Sequence, residues 1–435
     1  MSRIHIRGGH VVDPACGLNE PRDVYVGDGR ILAIGEAPAS FVADETLAAE
    51  GQIVAPGLVD GAARLREPGA SRKGGIVPEA RAAATGGITT LVYPPDTRPV
   101  MDTPSVVELV HSRCQAAGAA RVQPLGALTR ELEGAYLAEM AALRDAGCVA
   151  VSDGGHPVAD TLILRRAIDY AATFALPVML TPEDPTLAEG GRVHEGETAT
   201  RLGLPGQPSA TETAAVGRIL ALVEESGTPV HLGRLSTARA AEMVAAAQRA
   251  QLPVTADVAI HQLFLTEHDC DAYNTEALVR PPLRTAADRD GLRRAVAEGT
   301  ISAICSDHQP HDPDAKACPF ADSETGLSGV DTFLALALRL VDEGLLSLPE
   351  AIHRVSLGPA RALGLSAGTL RPGSAADVAI IDPRAAWRVT PESLRSRGRN
   401  TPFIGWDLAG RATATLVGGR VAHPGNEAES SRRQS

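Results

Sequence analysis

Residues 56–69 read Pro56-Gly57-Leu58-Val59-Asp60-Gly61-Ala62-Ala63-Arg64-Leu65-Arg66-Glu67-Pro68-Gly69. A short apolar run held between glycines is a β-type run that a turn closes, here near Ala62. The same unit recurs along the chain, with further runs ending near Pro94, Leu125, Asp153, Thr181, Arg234, Ala259 and Asp307. Between them lie Ala-rich stretches of helical periodicity, among them Pro78 to Ala84, Leu137 to Ala146, Glu212 to Glu225 and Thr237 to Arg249. Eight such alternations are the arithmetic of a (β/α)8 barrel ringed by its helices.

Outside that stretch the pattern changes. Short alternating runs, Ile4-His5-Ile6 and Asp23-Val24-Tyr25-Val26, are followed by the turn Gly27-Asp28-Gly29; Ala376 to Ile381 and Ala412 to Val417 behave alike. Both chain ends are expected to share one small β-sandwich, residues 1–56 plus 364–424, beside a barrel at 57–363. The 435 residues suffice for a barrel-sized core and a satellite. Residues 425–435 are polar apart from Ala428, an expected disordered tail without assigned function.

With 44% hydrophobic and 22% charged residues the composition is that of a globular protein. The net charge of -12, without a Lys or Arg run, argues against a nucleic-acid partner. The six cysteines form no Cys-x-x-Cys pair, so reduced thiols and a cytoplasmic setting are expected. Neither a signal-peptide core nor a run approaching the roughly 18 apolar residues of a membrane helix is present, so no membrane association is expected.

In a barrel of this kind, chemistry sits at the C-terminal ends of the strands. There the chain resembles the dihydroorotases of the amidohydrolase superfamily. The opening stretch carries the resemblance, together with Glu183-Asp184-Pro185, Leu187 to Gly191, Glu195-Gly196-Glu197, Arg201 to Gly206, Pro281-Pro282-Leu283-Arg284, Ser306-Asp307-His308, Arg399 to Phe403 and Gly405-Trp406. It runs in order from about Ile4 to His423 and implies an amidohydrolase-type barrel.

Active members of that family carry His-x-His on the first strand and further ligand histidines after the fifth and sixth, which hold zinc. Here those positions are Ala62, Arg64, Thr181 and Arg234, although His231 of the sixth-strand pattern remains. Of the family's set only Asp153 and Asp307 survive, the latter as a vestigial base. Arginine has no acceptor lone pair, stays protonated and repels a dication. Zinc and other cofactors are therefore expected to be absent, and with them the activated water of the hydrolytic reaction. Arg64 and Arg234 are expected to neutralise Asp153 and Asp307 instead.

The substrate-like pocket is also altered. The family's Pro-Asn-Thr-Asn-Pro reads Pro95-Asp96-Thr97-Arg98-Pro99, and Arg280 stands where Asn precedes Pro-Pro-Leu-Arg. Asp96 would repel an anionic substrate, whereas Arg66 and His311 keep the positions that face its carboxylate. His156, His261, His308 and His311 show no ligand spacing beyond His308-x-x-His311. The glycine pairs at 74–75 and 154–155 lack the sequel of a phosphate loop, and no alternative nucleophile motif appears.

The resemblance implies a specific role. Some bacteria carry dihydroorotase-like chains without zinc ligands that assemble with aspartate carbamoyltransferase. The reading is a non-catalytic subunit of such a hetero-oligomer in pyrimidine biosynthesis, bound to the aspartate carbamoyltransferase catalytic chain. The alternatives are a cyclic-amide hydrolase with an atypical or absent metal site, and a sensor that binds an anionic metabolite through Arg66 and His311.

Overall fold

The computed structural model describes residues 2–423; the tail expected at 425–435 lies outside them. The first strands are β1 (Ile4–Asp13), β2 (Leu18–Gly27), β3 (Arg30–Ile34), β4 (Glu45–Ala48) and β5 (Ile53–Pro56). One residue later the barrel begins with β6 (Leu58–Asp60), followed by β7 (Ile88–Tyr93), β8 (Arg121–Ala127), β9 (Ala150–Ser152) and β10 (Val178–Leu180). A two-residue pair, β11 (Val193–His194) and β12 (Gly206–Gln207), stands apart. The barrel then finishes with β13 (Val230–Leu232), β14 (Val254–Ala259) and β15 (Ala303–Cys305).

The eight barrel strands pair in parallel, in chain order from β6 to β15. Their side chains are buried on both faces along β6, β7, β9 and β13, as helix-covered parallel strands require. The ring closes through one parallel bridge, Ala63 to His308. Two backbone bonds make that seam, Arg64 N–H to His308 O at 2.8 Å and His308 N–H to Ala62 O at 3.2 Å.

The helices follow the expected alternation, for example Ile76–Thr85, Ala210–Ser226 and Ala238–Arg249. The stretch from Leu137 to Ala146 is helical only over Met140–Asp145. Leu137 is bridged to Thr129 and the Ala138 N–H donates to Leu128 O, so the preceding segment is held as an extended hairpin.

The chain returns to the small domain through β16 (Val378–Arg388), β17 (Asp407–Val417) and β18 (Arg420–His423). Both chain ends join one hydrogen-bonded sheet, ordered β18-β17-β16-β5-β1-β2-β3 with β4 on β1. A register break between Ile6 and Gly9 lets β1 pair with β4 over its first half and β5 over its second. This sheet has its own core, which includes Ile4, Ile6, Val24, Val378 and Ile380. Gly57 joins sheet and barrel; a Cβ there would stand 2.2 Å from Thr89, so the crossing admits only glycine.

No helix of the described residues is long and apolar enough to cross a membrane.

Candidate functional site

The seam between β6 and β15 lies where the site should be. Asp60, fully buried at the end of β6, accepts from Ser306 N–H at 2.9 Å and Ser306 Oγ at 2.5 Å, tying the first strand to the last. Burial pushes its pKa up to about 6, against the hydrogen bonds that favour the anion. Neither residue stood out in the sequence as a site residue.

One step further on, Asp307 adopts a left-handed backbone (φ 46°), as does Arg234 after β13 (φ 60°). Asp307 Oδ1 accepts from Arg234 Nη1 at 3.1 Å and Arg64 Nη1 at 3.3 Å, while Gln309 Nε2 donates to Oδ2 at 3.2 Å. Arg64 also donates through Nε to Asp96 Oδ2 at 2.6 Å and through Nη2 to Gly154 O at 3.2 Å. Arg234 Nη2 donates to Thr181 Oγ1, and its backbone N–H to Asp257 Oδ1 at 2.6 Å. Asp307 is 1% exposed, and Arg64 and Arg234 only 6% and 7%. Burial alone would raise the Asp96 pKa, but Arg64 overrides it and holds the carboxyl below its usual range. Burial likewise opposes the charge on Arg234, which Asp307 restores and strengthens.

The expected pairing thus holds for Asp307 but not for Asp153. Asp153 Oδ2 accepts from the Thr181 backbone N–H at 2.9 Å and Oδ1 from Gly155 N–H at 3.0 Å, and burial raises its pKa. The second carboxylate partner of Arg64 is Asp96, expected only to repel substrate.

Arg280 lays its fork on Glu183, with Nε to Oε2 at 3.0 Å and Nη2 to Oε1. Arg66 and His311 face each other: Arg66 Nη2 lies 3.1 Å from His311 Nε2, which is also 2.9 Å from Thr325 O, and Arg66 Nε donates to Pro310 O. Burial, then Arg66, pushes the His311 pKa down to about 3, so the ring is neutral at neutral pH. Ala62 sits in a small apolar cluster with Ala259 and Cys305. A cavity of about 200 Å³ runs between Arg64, Arg66, Arg234 and Arg280 and continues into a cleft of about 720 Å³ past Lys73 and His156.

Two other histidines, His308 and His231, are engaged by carboxylates away from Asp307. His308 Nδ1 accepts from Gly329 N–H at 3.1 Å, so Nε2 donates to Glu79 Oε2 at 3.1 Å. His231 Nε2 meets Asp257 Oδ2 at 2.8 Å, and His261 is buried with its pKa lowered to about 4. Among the described residues no three His, Cys, Asp or Glu side chains gather to hold a metal ion. The fully buried Cys305 thiol has its pKa raised well above the usual value, which disfavours a thiolate nucleophile. The side chains at the mouth do not fit zinc: Ala62 and Thr181 offer neither imidazole nor carboxylate, and the Arg64 and Arg234 guanidinium groups have no lone pair to give.

Fold and site together define an eight-stranded parallel barrel with a buried cluster of arginines and carboxylates at its mouth. The amidohydrolase family matches residues 187–422, and the family described as dihydro-orotase-like matches residues 51–240. The chain belongs to the amidohydrolase family, as a dihydroorotase-like member. It is 51% identical over 422 residues to a dihydroorotase-like protein of Pseudomonas aeruginosa, covering 97% of this chain and 100% of that one. To a dihydroorotase of Geobacter metallireducens it is 40% identical over 418 residues, 96% and 99% of the two chains. The L-hydantoinase of Arthrobacter aurescens superposes with a TM-score of 0.86 at 25% identity, covering 98% of this chain and 97% of that one.

Proposed function

We propose that this chain is a non-catalytic, dihydroorotase-like subunit, without zinc, that associates in the cytoplasm with the aspartate carbamoyltransferase catalytic chain and supports it in pyrimidine biosynthesis. One observation carries the non-catalytic part: Asp307, the position of the family's base, is held by Arg64 and Arg234. That carboxylate serves as counter-ion to two buried guanidinium groups, and the cations stand where a metal would need donors. Support for the partner comes from the resemblance to zinc-less chains of that assembly, while a relative of 51% identity named dihydroorotase-like protein supports the dihydroorotase-like part.

The test is sedimentation velocity of the purified chain mixed with aspartate carbamoyltransferase from the same organism, with metal content measured alongside. A faster species absent from either protein alone, and metal well below one equivalent, are expected. Separate, unshifted boundaries would remove the subunit reading. A second reading, a cyclic-amide hydrolase, is favoured by full-length relatives of 40–44% identity named dihydroorotase. Stoichiometric metal with ring opening of dihydroorotate would establish it.

A further inference from the structure

Every guanidinium in the small mouth cavity is matched by a carboxylate, a carbonyl or His311, but this is not so at a second cavity. It measures about 580 Å³ and lies between β16, β17 and the helix Phe333–Asp342. Gly86, just before β7, lines it, so it sits at the opposite strand ends from Asp307.

Arg411 lies half-buried there with its guanidinium 4.2 Å from the centre of the Trp387 ring, and Arg395 lines the same space. Among the described residues neither arginine side chain has a hydrogen-bond acceptor or a close ion pair, although Asp331 acts on Arg411 at longer range and partly offsets Arg395 beside it. The Trp387 Nε1–H is buried and also lacks an acceptor. Two carboxylates line the cavity, and both are engaged by backbone. Asp331 accepts from Arg395 N–H at 2.8 Å and Ser396 N–H at 3.1 Å, fixing the segment that carries Arg395. Asp382 accepts from Arg384 N–H at 2.9 Å. Leu334, Ile380 and Ala412 supply an apolar wall.

Indole and guanidinium donors without acceptors, beside an apolar wall, call for an anion carrying an organic group. Two guanidinium forks match a dianion with several terminal oxygens better than a single carboxylate. A bare oxyanion would leave most of the volume empty, whereas a ligand of nucleotide size fits it. We propose that this cavity is a binding site for a ring-bearing phosphate monoester, its phosphoryl group on Arg395 and Arg411 and its ring beside Trp387 and Leu334. The site is independent of how the barrel mouth is read.

The test is calorimetric titration of the full chain with AMP, UMP, adenosine and inorganic phosphate at low and high salt. Saturable binding of AMP or UMP, weakened by salt and tighter than that of phosphate or adenosine, is expected. Arg411→Gln and the exposed Arg395→Gln should each weaken it by about ten-fold or more. Circular dichroism of each variant guards against misfolding. Three results would overturn the proposal: no binding of either nucleotide, binding unchanged in both variants, or binding lost in Arg66→Gln instead, which moves the ligand to the barrel mouth.

Discussion

Asp307→Asn preserves shape and deletes one charge from the centre of the clasp at the barrel mouth. Asparagine tolerates the left-handed backbone at φ 46° about as well as aspartate, so the conformation adds little to the cost. Arg64 would keep Asp96, but Asp307 is the only carboxylate in an ion pair with Arg234 among the described residues. Removing one partner of a buried ion pair costs about 3–5 kcal/mol, because the survivor stays buried and unpaired. With two guanidinium groups served by one carboxylate, the upper part of that range is expected. Arg64→Met should cost a comparable amount, because Asp307 retains Arg234 and Gln309 but Asp96 loses the arginine that pairs with it. Replacing the group together, by Arg64→Met, Arg234→Met and Asp307→Leu with Asp96→Asn, should cost less than Asp307→Asn alone, because no charge is stranded. Urea denaturation followed by circular dichroism reads these differences as midpoint shifts at constant slope. A midpoint for Asp307→Asn within about 0.5 kcal/mol of the parent would refute the reasoning, as would a combined variant equally damaged.

Two further outcomes follow from buried groups. His261 titrates at about 4 in the folded chain and near 6.5 when unfolded, so between those values the unfolded state binds the extra proton. Its contribution to stability is complete above about pH 6.5 and lost as pH falls towards 4, by at most roughly 3.5 kcal/mol at about 1.4 kcal/mol per unit. The raised pKa of Asp60 acts in the opposite sense, so the comparison is parent against His261→Gln, with the parent losing more on acidification; parallel curves would exclude it. Glu212, 2% exposed, accepts from the backbone N–H and hydroxyl of both Ser236 and Thr237, where the helix Ala238–Arg249 starts. Glu212→Ala should cost about 3 kcal/mol in urea midpoint and speed amide exchange in the first turn of that helix.

The barrel was legible because strands buried on both faces leave apolar runs such as Val178–Leu180, and because each ends in turn residues. The positions at the mouth were legible for the same reason, since strand ends point there. Which charges meet was not. Asp96 and Glu183 sit beyond strand ends, and their arginines come from elsewhere in the chain, 32 and 97 residues away. Asp153 lost its expected arginine to backbone donors. The Gly154-Gly155 pair, which in the sequence shows only that no phosphate loop follows, turns at φ 59° and 84° and aims the Gly155 N–H at Asp153. Such pairings depend on loop paths, which periodicity does not encode.

The bridge between Ala63 and His308 has a consequence for how the chain reaches its final form. It and the Arg64–Asp307 contact join segments more than 240 residues apart, so no local structure pre-forms them. Contacts of such separation carry a large closure entropy and form after local elements are in place. Until residue 307 arrives, β6 is an open edge beside an Arg64 that lacks its second carboxylate, a species exposed to misassembly. Slow acquisition of amide protection at Arg64 and His308 during refolding would time the moment at which the ring shuts and its charges cancel.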